Sequence, residues 1–437
     1  MVHRLNRREM LRNTALAGVG AWATAGRARA DSKSPNEKLN IAVIGVGGRG
    51  RANLNHFARE GENIVALCDV DEERAGDAFA RFPKARKYHD FRKMLDEMDK
   101  QIDAVVVNTP DHTHAAPSVT AMKMGKHCYC EKPLAHSIHE SRMMAEIAKK
   151  NRLVTQLGTQ HHAKTHLCRM VEVIEAGAIG PVREVHVWIG GDRGGGVRPT
   201  ETPPVPPHLR WDLWLGPRPY RPYHPDYVPY KWRFWWDFGT GETGNNGVHI
   251  MDVAFWALRL RHPTTIEAEG PAAHPETSPR WMTVRYEFPG RAELPPLKMT
   301  FYHILNGPPI LAEVLPEEQR SKWESGVLFV GQKGMLLAGY STWRLLPELK
   351  FKDYQPPKPT IPDSIGHHKE WIAACKSGGP TTCNFEYSGA LTEAVLLGNV
   401  AYRVGEKLEW DPVNLKATNC PNAEPLIKEP YREGWIL

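Results

Sequence analysis

An apolar stretch of the sequence, TGNNGVHIMDVAFWAL, carries three polar residues at helical spacing. Asn245, His249 and Asp252 are four and three residues apart, so an α-helix places them on one face, which Trp256 extends. In a structural interpretation, Asn245 or Asn246 caps the helix, and His249 forms a buried pair with Asp252. In a functional interpretation, His249 accepts a proton from a substrate, because imidazole has the side-chain pKa closest to neutral.

A glycine-rich turn earlier in the chain predicts a nucleotide site. The stretch LNIAVIGVGGRGRANLNHFARE combines an apolar strand, a turn and a helical pattern, and Gly45, Gly47 and Gly50 match G-x-G-x-x-G in that context. Such glycines let the backbone approach a pyrophosphate at the helix N-terminus. The next predicted strand, NIVALCDVD, ends near Asp69, whose carboxylate would accept from the adenosine ribose and repel a 2′-phosphate. The sequence therefore predicts NAD rather than NADP.

Strands and helices continue to alternate to about residue 160, which predicts a doubly wound parallel sheet. The strands are DAVVVNTP, HCYCEKP and LVTQLGTQ, and Ser137 with Glu140 forms a capping box. Ligands of such sheets lie outside the carboxyl ends of the strands, where Gln160 is expected beside the substrate. The residues expected to contact the cofactor are Gly45, Gly47, Arg49, Gly50, Asp69, Thr109, Pro110, Asp111, His114, Glu131 and Lys132.

The length and charge of the chain limit its class. A chain of 437 residues predicts two or three domains. The formal net charge is +6, but the first 30 residues hold six Arg and one Glu, so the remainder is close to neutral. A near-neutral body gives no electrostatic reason to expect nucleic acid or a membrane surface as a partner. No segment after the first 30 residues is apolar enough to span a bilayer.

The first 30 residues have the pattern of a removed export signal. Arg7 and Arg8 precede a Met-Leu pair and a weakly apolar run that ends in Ala-Arg-Ala at residues 28–30. This order is typical of a twin-arginine signal, which exports folded proteins, and an ordinary secretory signal is the alternative. Either signal predicts a mature protein that begins near Asp31 and works in the periplasm or otherwise outside the cytoplasm.

The cysteines and histidines give no metal or disulfide pattern. Seven cysteines show no framework of spacings, and Cys128 and Cys130 alternate along one predicted strand face, which indicates small buried side chains. His162 and His166 have the i,i+4 spacing of a zinc pair, but no Glu follows the first and no third ligand is evident. We expect histidines that face solvent or substrate, and no metal.

Four motifs together resemble the Gfo/Idh/MocA family of NAD(P)-dependent sugar and cyclitol oxidoreductases: the glycine turn, NTPDHTH, CEKP and GNNGVHIMD. GHHKEWIAACKSG and GNVAYRVGEKLEWDP resemble the closing helix and strand of exported members. The resemblance implies a Rossmann domain followed by an α+β domain whose open antiparallel sheet mediates a dimer or tetramer. It also implies that Lys132 is the lysine of the family's E-K-P motif and His249 its acid/base histidine. Members usually have Asp where this chain has Asn245.

Lys132 also makes chemical sense without the resemblance. It follows a predicted strand and precedes a proline, so its side chain is held in place at the edge of the cleft. Desolvation and a cationic nicotinamide ring would lower the pKa of its ammonium. The ammonium would polarise a hydroxyl whose proton His249 accepts. Asn245 is expected to hold the imidazole by a hydrogen bond, Asp252 is expected to orient it from the other side, and both are expected to contact the substrate.

A long segment rich in proline and aromatic residues separates Gly190 from Thr243. Loops of this length are usually functional or disordered, and so many aromatic side chains argue against disorder. Aromatic faces with polar edges suit pyranose rings, so Trp211, Arg233 and Trp236 are candidate substrate contacts. A structural loop laid over the sheet is an equal alternative.

The sequence thus predicts an export signal at 1–30, a Rossmann domain at 31–160 and an α+β domain at 161–437, with residues 366–412 packing back toward the first domain. The expected activity is NAD-dependent oxidation of a carbohydrate hydroxyl. Free NAD is not expected outside the cytoplasm, so tightly bound NAD would be regenerated in place. A redox-neutral glycosidase is one alternative, because oxidation, elimination, hydration and reduction also restore NAD. A non-catalytic sugar or nucleotide sensor is the other.

Overall fold

The computed structural model describes residues 37–305 and 307–437, so the predicted export signal lies outside the described residues. The first sheet is parallel, with the order β3-β2-β1-β4-β5-β6. Its strands are β1 (Asn40–Ile44), β2 (Asn63–Cys68), β3 (Arg86–Tyr88), β4 (Ala104–Val107), β5 (His127–Cys130) and β6 (Thr155–Leu157). Every residue of β4, AVVV, is buried, as expected for a parallel sheet covered on both faces. This is the doubly wound Rossmann topology that the sequence predicts.

Five helices connect these strands: α1 (Arg49–Arg59), α2 (Glu72–Arg81), α3 (Phe91–Met98), α4 (Ala115–Lys123) and α5 (Ile138–Lys150). Polar side chains begin several of them, because the first N–H groups of a helix have no partner within it. Asp71 caps α2 through the N–H groups of the next turn, and Ser137 with Glu140 forms the predicted capping box of α5. Cys128 and Cys130 are completely buried in β5, and every described cysteine is free.

The second sheet has nine strands in the order β13-β12-β11-β7-β10-β9-β8-β14-β15. It is largely antiparallel, as predicted, but one pair of strands is parallel. Strands β8, β9 and β10 form an antiparallel meander, and β10 runs parallel to its other neighbour, β7. Its strands are β7 (Val182–Ile189), β8 (Thr265–Glu269), β9 (Met282–Phe288), β10 (Leu297–His303), β11 (Ser325–Gly331), β12 (Gly334–Ala338), β13 (Trp343–Leu346), β14 (Leu408–Asp411) and β15 (Lys416–Ala417). Burial alternates along β9 and β10, so the covered face packs on helices.

The remaining helices are α6 (Thr165–Glu175), α7 (Trp211–Leu215), α8 (Val248–Leu258), α9 (Leu311–Val314), α10 (Glu317–Arg320), α11 (His367–Ser377), α12 (Phe385–Val404) and α13 (Glu424–Ile427). Helix α8 is buried almost all round, since it lies between the second sheet and its neighbours α6 and α12. Across residues 37–305 and 307–437, no helix combines the length and the apolar character needed to cross a bilayer.

Helices α11 and α12 join the second sheet to the first domain. His368, in α11, contacts Asn53 of α1, with Nε2 3.0 Å from the amide oxygen. Helix α12 packs on α5 at Gly389, where a Cβ atom would lie only 3.2 Å from the Cβ of Ala145. Both helices therefore pack against the Rossmann domain, which brings the two halves of the chain together on either side of one cleft.

The proline- and aromatic-rich segment before α8 is folded onto the first domain. The N–H of Arg210 donates to the carbonyl of Val70 at 2.8 Å, and the N–H of Glu72 donates to the carbonyl of His208 at 3.0 Å. Burial of its rings explains why this long loop is ordered. The aromatic cluster consists of Leu209, Trp211, Trp214, Leu215, Tyr227, Trp232, Trp235 and Phe238.

Candidate functional site

A cleft of about 710 Å³ runs along the carboxyl edge of the first sheet and beneath the segment before α8. Its position is the one that doubly wound sheets use for ligands. Of the residues singled out from the sequence, those lining it are Gly45, Gly47, Arg49, Asp69, Thr109, Pro110, Asp111, His114, Glu131, Lys132, Gln160, Arg233, Asn245 and His249. Gly50, Asp252, Trp211 and Trp236 do not line it.

The glycine turn after β1 can accept a dinucleotide pyrophosphate. Gly45 has a φ of 78°, and a Cβ on Gly50 would lie 1.9 Å from the carbonyl oxygen of Gly45, so neither position tolerates a side chain. A Cβ on Gly47 would lie 3.2 Å from the Cβ of Arg74, and a Cβ on Gly48 would lie 3.1 Å from its Nη2, so Arg74 would crowd a side chain at either position, and both glycines line the cleft. The turn opens α1, whose N-terminus favours an anion. These features fit the diphosphate of NAD.

Asp69 lies directly after β2 and is hydrogen-bonded to the backbone of the glycine turn. Its Oδ2 accepts from the N–H of Val46 at 2.8 Å and of Gly47 at 3.2 Å, and its Oδ1 accepts from the N–H of Asp71 at 3.0 Å. Burial raises the pKa of the Asp69 carboxyl, although these backbone hydrogen bonds oppose the rise. A carboxylate held at this position fits the predicted contact with the adenosine ribose.

Glu131, at the end of β5, accepts three side-chain hydrogen bonds. Its Oε1 lies 3.1 Å from Arg49 Nε, 2.8 Å from Asn53 Nδ2 and 3.0 Å from Gln160 Nε2. Gly158 leaves room for the carboxylate, because a Cβ there would lie 2.6 Å from Oε1. This network connects the helix after the glycine turn to the strand that carries Lys132. Gln160 is thus already engaged by Glu131, although it still lines the cleft.

The Thr109–His114 loop mainly holds other parts of the protein in place. Asp111 Oδ2 accepts from the hydroxyl of Thr240 at 2.7 Å, which ties the first domain to the segment before α8. The ring nitrogens of His114 lie 2.7 Å and 2.8 Å from the carbonyl oxygens of Pro133 and Thr109. Asp111 and His114 are also almost completely buried, so only small parts of them are available to a ligand.

Lys132 enters the cleft at the end of β5, before a cis proline. Its Nζ donates to the backbone oxygen of Asn245 and, at 3.0 Å, to that residue's Oδ1. Desolvation lowers the pKa of the ammonium, while the charges of Glu131 and Asp111 act in the opposite direction. An ammonium has three donors, so one remains for a substrate oxygen. Asn245 therefore positions Lys132, which corrects the expectation that Asn245 holds the imidazole of His249.

His249 lies in the same cleft with no hydrogen-bond partner for its buried Nδ1 among the described residues. The ring of His161 packs edge-on at 5.1 Å. Desolvation lowers the pKa of His249 well below its ordinary value, and the positive charge of Lys132 adds to the effect. The ring is therefore neutral at physiological pH and can accept a proton. The five residues before α8, Thr243–Gly247, form one wide helical turn instead of a capped α-helical end.

Asp252 does not orient His249, contrary to both interpretations of the helix. Its Oδ2 lies 2.8 Å from His162 Nδ1, and its Oδ1 accepts from the Tyr387 hydroxyl at 2.6 Å. Trp256 stacks on the ring of His162 at 4.0 Å. Burial alone would lower the pKa of His162, but the charge of Asp252 raises it well above its ordinary value. His162 therefore forms a buried ion pair with Asp252. We expected it to face solvent or substrate instead.

Two of the three aromatic-segment candidates lie outside the cleft. Trp211 stacks on Trp214 at 4.6 Å and donates its indole N–H to the carbonyl of Arg221 at 2.7 Å. Trp236 is also buried, and its indole N–H donates to the carbonyl of His274 at 3.2 Å. Both side chains are therefore satisfied inside the protein. Their predicted substrate contact is wrong, because the spacing of aromatic residues does not determine which of them is buried.

Arg233 is the candidate from this segment that does line the cleft. Its guanidinium lies over the rings of Tyr230 and Trp232, at 4.4 Å and 4.3 Å from their centroids. Cation–π attraction holds the guanidinium against these aromatic faces. Tyr230, Trp232 and Arg233 thus form a wall with a flat, partly polar surface opposite the first sheet.

Several lining residues were not singled out from the sequence. His161 follows β6 and stacks on Tyr340 at 4.3 Å, and burial lowers its pKa to about 4. The signal in the sequence that could have found His161 is the histidine pair 161–162 directly after a predicted strand. Trp435 lines the cleft from the far end of the chain, and no local pattern marks it. Across the described ranges, no group of three or more His, Cys, Asp or Glu residues is placed to hold a metal ion.

Two family models match the chain. Residues 39–159 match a model described as oxidoreductase family, NAD-binding Rossmann fold. Residues 187–294 match a model described as oxidoreductase family, C-terminal alpha/beta domain. The two matched ranges correspond to the parallel sheet and to the first part of the largely antiparallel sheet.

Curated relatives match the first part of the chain. A glycosyl hydrolase family 109 protein from Solibacter usitatus is 37% identical over 154 residues, 31% of this chain and 34% of that protein. An inositol 2-dehydrogenase from Salmonella typhimurium is 28% identical over 152 residues, 34% and 45% of the two chains. A levoglucosan dehydrogenase from Pseudarthrobacter phenanthrenivorans is 29% identical over 155 residues, 33% and 39% of the two chains. The chain thus spans between a third and a half of each of these relatives.

Solved structures share the fold over most of this chain. The WlbA dehydrogenase from Bordetella pertussis, in complex with NADH and UDP-GlcNAcA, has a TM-score of 0.61 at 17% identity and covers 86% of this chain and 99% of its own. A levoglucosan dehydrogenase in complex with NADH and levoglucosan has a TM-score of 0.55 at 19% identity, covering 85% and 99%. At these identities the likeness establishes the two-domain fold.

Proposed function

Since this chain belongs to the Gfo/Idh/MocA family of NAD-binding oxidoreductases, we propose that it oxidises a hydroxyl group of a sugar or cyclitol with NAD. One observation carries the proposal. A neutral histidine with an unpartnered ring nitrogen, His249, lies beside Lys132 in the cleft that contains the glycine turn. A proton acceptor, a hydrogen-bond donor and a nucleotide site in one cavity are what oxidation of an alcohol requires.

Each side chain has a distinct task in this proposal. The ammonium of Lys132, held by Asn245, donates to the substrate oxygen and stabilises the negative charge that develops there. His249 accepts the proton that the same hydroxyl releases. Because His249 has no carboxylate partner in the described structure, its imidazole can bind and release a proton without breaking an ion pair. The wall of Tyr230, Trp232 and Arg233 limits the access of water.

The cofactor site belongs to the first domain. The redox chemistry would be supplied by bound NAD, as acceptor of the hydride from the carbon that bears the hydroxyl. The glycine turn would hold its diphosphate, and Asp69 its adenosine ribose. Lys132 follows β5 and Asp69 follows β2, on opposite sides of β1, so Lys132 and His249 line the part of the cleft where the reacting end of a dinucleotide is expected.

The proposed substrate class rests on the relatives and on the cleft wall. The inositol and levoglucosan dehydrogenases act, by their names, on polyhydroxylated rings. The ring of Tyr230, which is 45% exposed, and the guanidinium of Arg233 stacked on it suit a substrate ring that has an apolar face and hydroxyls at its edge.

A redox-neutral glycosidase is the second candidate, favoured by the Solibacter usitatus relative of glycosyl hydrolase family 109. In that reaction the same proton transfers at Lys132 and His249 would serve oxidation, and an aglycone would leave before reduction restores the hydroxyl. The presence of Lys132 favours the oxidoreductase, because the resemblance implies that the glycosidase branch often has an apolar residue there.

The two reactions differ in their products, so one experiment separates them. Protein purified from cells is given sugars and glycosides one at a time, with and without added NAD, while NADH absorbance and released aglycone are recorded together. The proposal predicts lasting NADH absorbance without aglycone. Aglycone release without lasting NADH would instead identify the glycosidase. Bound NAD with neither signal for any compound, and His249→Ala protein that binds the same sugars equally well, would identify a sensor.

We further propose that the protein is exported with NAD already bound and assembles as a dimer or tetramer through the uncovered face of the second sheet. The twin arginines support export, because such signals carry folded proteins. On the uncovered face, alternate positions of β9 such as Arg285 and Glu287 are exposed. Cell fractionation tests the location, and light scattering of wild type and of an Arg285→Glu variant tests the interface.

A further inference from the structure

The two ends of the cleft can be distinguished by the strands that form them. The residues after β2 and β3, from Asp69 to Asp71 and from His89 to Phe91, line one end, whereas Lys132 and His249 line the other. In a dinucleotide-binding sheet, the acid after the second strand marks the adenosine side. The end that contains His89 and Phe91 is therefore where an adenine ring would lie.

Trp435 lines this adenosine end, although it lies far away in sequence. Its ring centroid is 6.1 Å from that of Phe91, and the guanidinium of Arg92 lies 4.6 Å from the indole. The guanidinium of Arg432, from the same segment, lies 5.9 Å from the ring centroid, and Trp435 as a whole is only partly buried where it lines the cleft. A large planar ring is thus held beside the position of a planar base.

The segment of residues 428–437 is attached to both sides of the cleft. On the side of the aromatic segment, Arg432 donates to the carbonyl of Gly216 at 2.6 Å and to the carboxylate of Asp212 at 2.6 Å. On the side of the first domain, Lys123 Nζ donates to the carbonyl of Leu437 at 3.0 Å. Trp435 lies between these attachments.

A buried ionic cluster holds the start of this segment. Glu429 lies 3.0 Å from His136, 2.5 Å from Arg218 and 3.5 Å from Arg403. Although burial opposes the change, His136 and Arg218 lower the pKa of Glu429 to about 2. The carboxylate is therefore charged throughout the physiological range, and the segment is firmly attached immediately before it reaches the cleft.

We propose that Trp435 is a cofactor-binding residue that contacts the adenine ring of NAD and slows its release. The proposal rests on the NAD-dependent function proposed above. Aromatic side chains bind nucleobases through their π-faces, and an alanine substitution of such a contact typically costs about five- to a hundredfold in affinity. A segment attached on both sides of the cleft adds a barrier to release, because the nucleotide can leave past Trp435 only when the segment moves.

The test compares Trp435→Ala with Trp435→Phe, and uses Ile436→Ala as a matched control because Ile436 is 85% exposed and does not line the cleft. NAD release is timed after rapid dilution of the loaded protein into excess ADP-ribose. We expect release about tenfold faster for Trp435→Ala, an intermediate rate for Trp435→Phe and an unchanged rate for Ile436→Ala. Melting curves of the nucleotide-free proteins show whether Trp435→Ala is folded.

Equilibrium binding of two fragments locates the contact. Trp435→Ala should weaken binding of ADP-ribose about tenfold and leave binding of nicotinamide mononucleotide unchanged, because only the first fragment carries adenine. Equal weakening of both fragments, or unchanged NAD release from folded Trp435→Ala protein, would overturn the proposal. Wild-type protein that binds no NAD would overturn it together with the proposed function, whereas NAD binding without sugar oxidation would remove only the latter.

Discussion

Two buried histidines, His249 in helix α8 and His162 beside it, have pKa values shifted in opposite directions. His162 is paired with the carboxylate of Asp252, which also accepts from Tyr387, and the pKa of His162 is raised well above its ordinary value. His249 has no carboxylate partner among the described residues, and desolvation together with Lys132 lowers its pKa well below the ordinary value.

The difference shows how the same side chain serves stability in one place and chemistry in another. A charged histidine in a satisfied network costs much to remove, and its proton is not available. A neutral histidine with an unpartnered nitrogen destabilises the fold slightly, and it is ready to accept a proton. The comparison therefore predicts that substitutions near His249 change the rate of reaction and that substitutions near His162 change the free energy of unfolding.

The largest effect on rate is expected when the donor beside His249 is removed. Lys132→Met should lower kcat for sugar oxidation by about a hundred- to a thousandfold, because it removes the charge that stabilises the developing alkoxide. Steady-state kinetics with the substrate identified in the sugar panel measures this. Lys126→Met is the matched control, because Lys126 pairs with Asp99 outside the cleft. A similar loss in both variants would contradict the assignment.

In the other region, the largest effect is expected on stability. His162→Ala should lower the free energy of unfolding by about 3–5 kcal/mol, because it leaves Asp252 as an unpaired buried charge. Tyr387→Phe, which removes one hydrogen bond to the same carboxylate, should cost about 1.5–3 kcal/mol. Denaturant unfolding measures both. If the His162→Ala protein were as stable as wild type while losing its activity, the roles of the two histidines would have to be exchanged.

The pH dependence of this stability has a defined sign. Because folding raises the pKa of His162, its contribution is fully present below about pH 6.5 and is lost as the pH rises through the raised pKa. The stability difference between wild type and His162→Gln should therefore shrink as the pH is increased above neutrality.

Asp69 lies at the nucleotide end of the cleft, whereas His249 and Lys132 lie at the reacting end. Asp69→Ala should weaken NAD binding by about tenfold or more and reduce the discrimination against NADP, because the carboxylate accepts from the ribose and repels a phosphate. Equilibrium titration with both nucleotides measures this. Asn384→Ala is the control: Asn384 caps α12 outside the cleft, so its loss should cost about 1 kcal/mol of stability and leave the NAD preference unchanged.

The pH profile of the reaction provides a separate test of His249 and Lys132. Since the pKa of His249 is lowered, kcat should stay constant as the pH falls through 6.5 and decrease only at more acidic pH. Since the pKa of Lys132 is lowered, the alkaline decrease should begin below pH 10.5 and disappear in an active Lys132→Arg variant. An acid limb centred at or above pH 6.5 would contradict a neutral His249.

The smallest effect is expected for the aromatic residues outside the cleft. Trp236→Phe should change kcat and KM by less than about twofold, because Trp236 lies inside the protein with its N–H satisfied. Tyr230→Leu, in the exposed part of the cleft wall, should raise KM by about several-fold with little change in kcat. Steady-state kinetics measures both variants, and a wild-type KM for the wall variant would show that the wall does not contact the substrate.

The parts of this account that could be predicted from the sequence have local causes. The glycine turn, Asp69 and Lys132 follow predicted strands directly, and the ends of parallel strands meet at one edge of a sheet. Local spacing could not predict that His162, 90 residues away, would be the partner of Asp252. It also placed Asn245 beside His249, but the wide helical turn Thr243–Gly247 directs it to Lys132 instead.

In the second half of the chain, local sequence patterns predict even less of the site. The aromatic content predicts an ordered segment, but packing against the first domain decides which of its tryptophans face the cleft. Trp211, Trp232 and Trp236 are all buried, yet only Trp232 among them reaches the cleft, beside Arg233. Trp435 has no local signal at all, since it reaches the cleft through contacts such as Arg432 with Asp212, which are 220 residues apart.

The central claim is that His249 accepts the proton and His162 does not. The most direct measurement is a single turnover with NAD-loaded protein, in which the formation of NADH absorbance is followed after rapid mixing with the substrate sugar. His249→Asn and His162→Asn are compared at equal folded concentration. The account predicts that His249→Asn is slower by about a hundredfold or more and that His162→Asn reacts at nearly the wild-type rate. A wild-type rate for His249→Asn would contradict it.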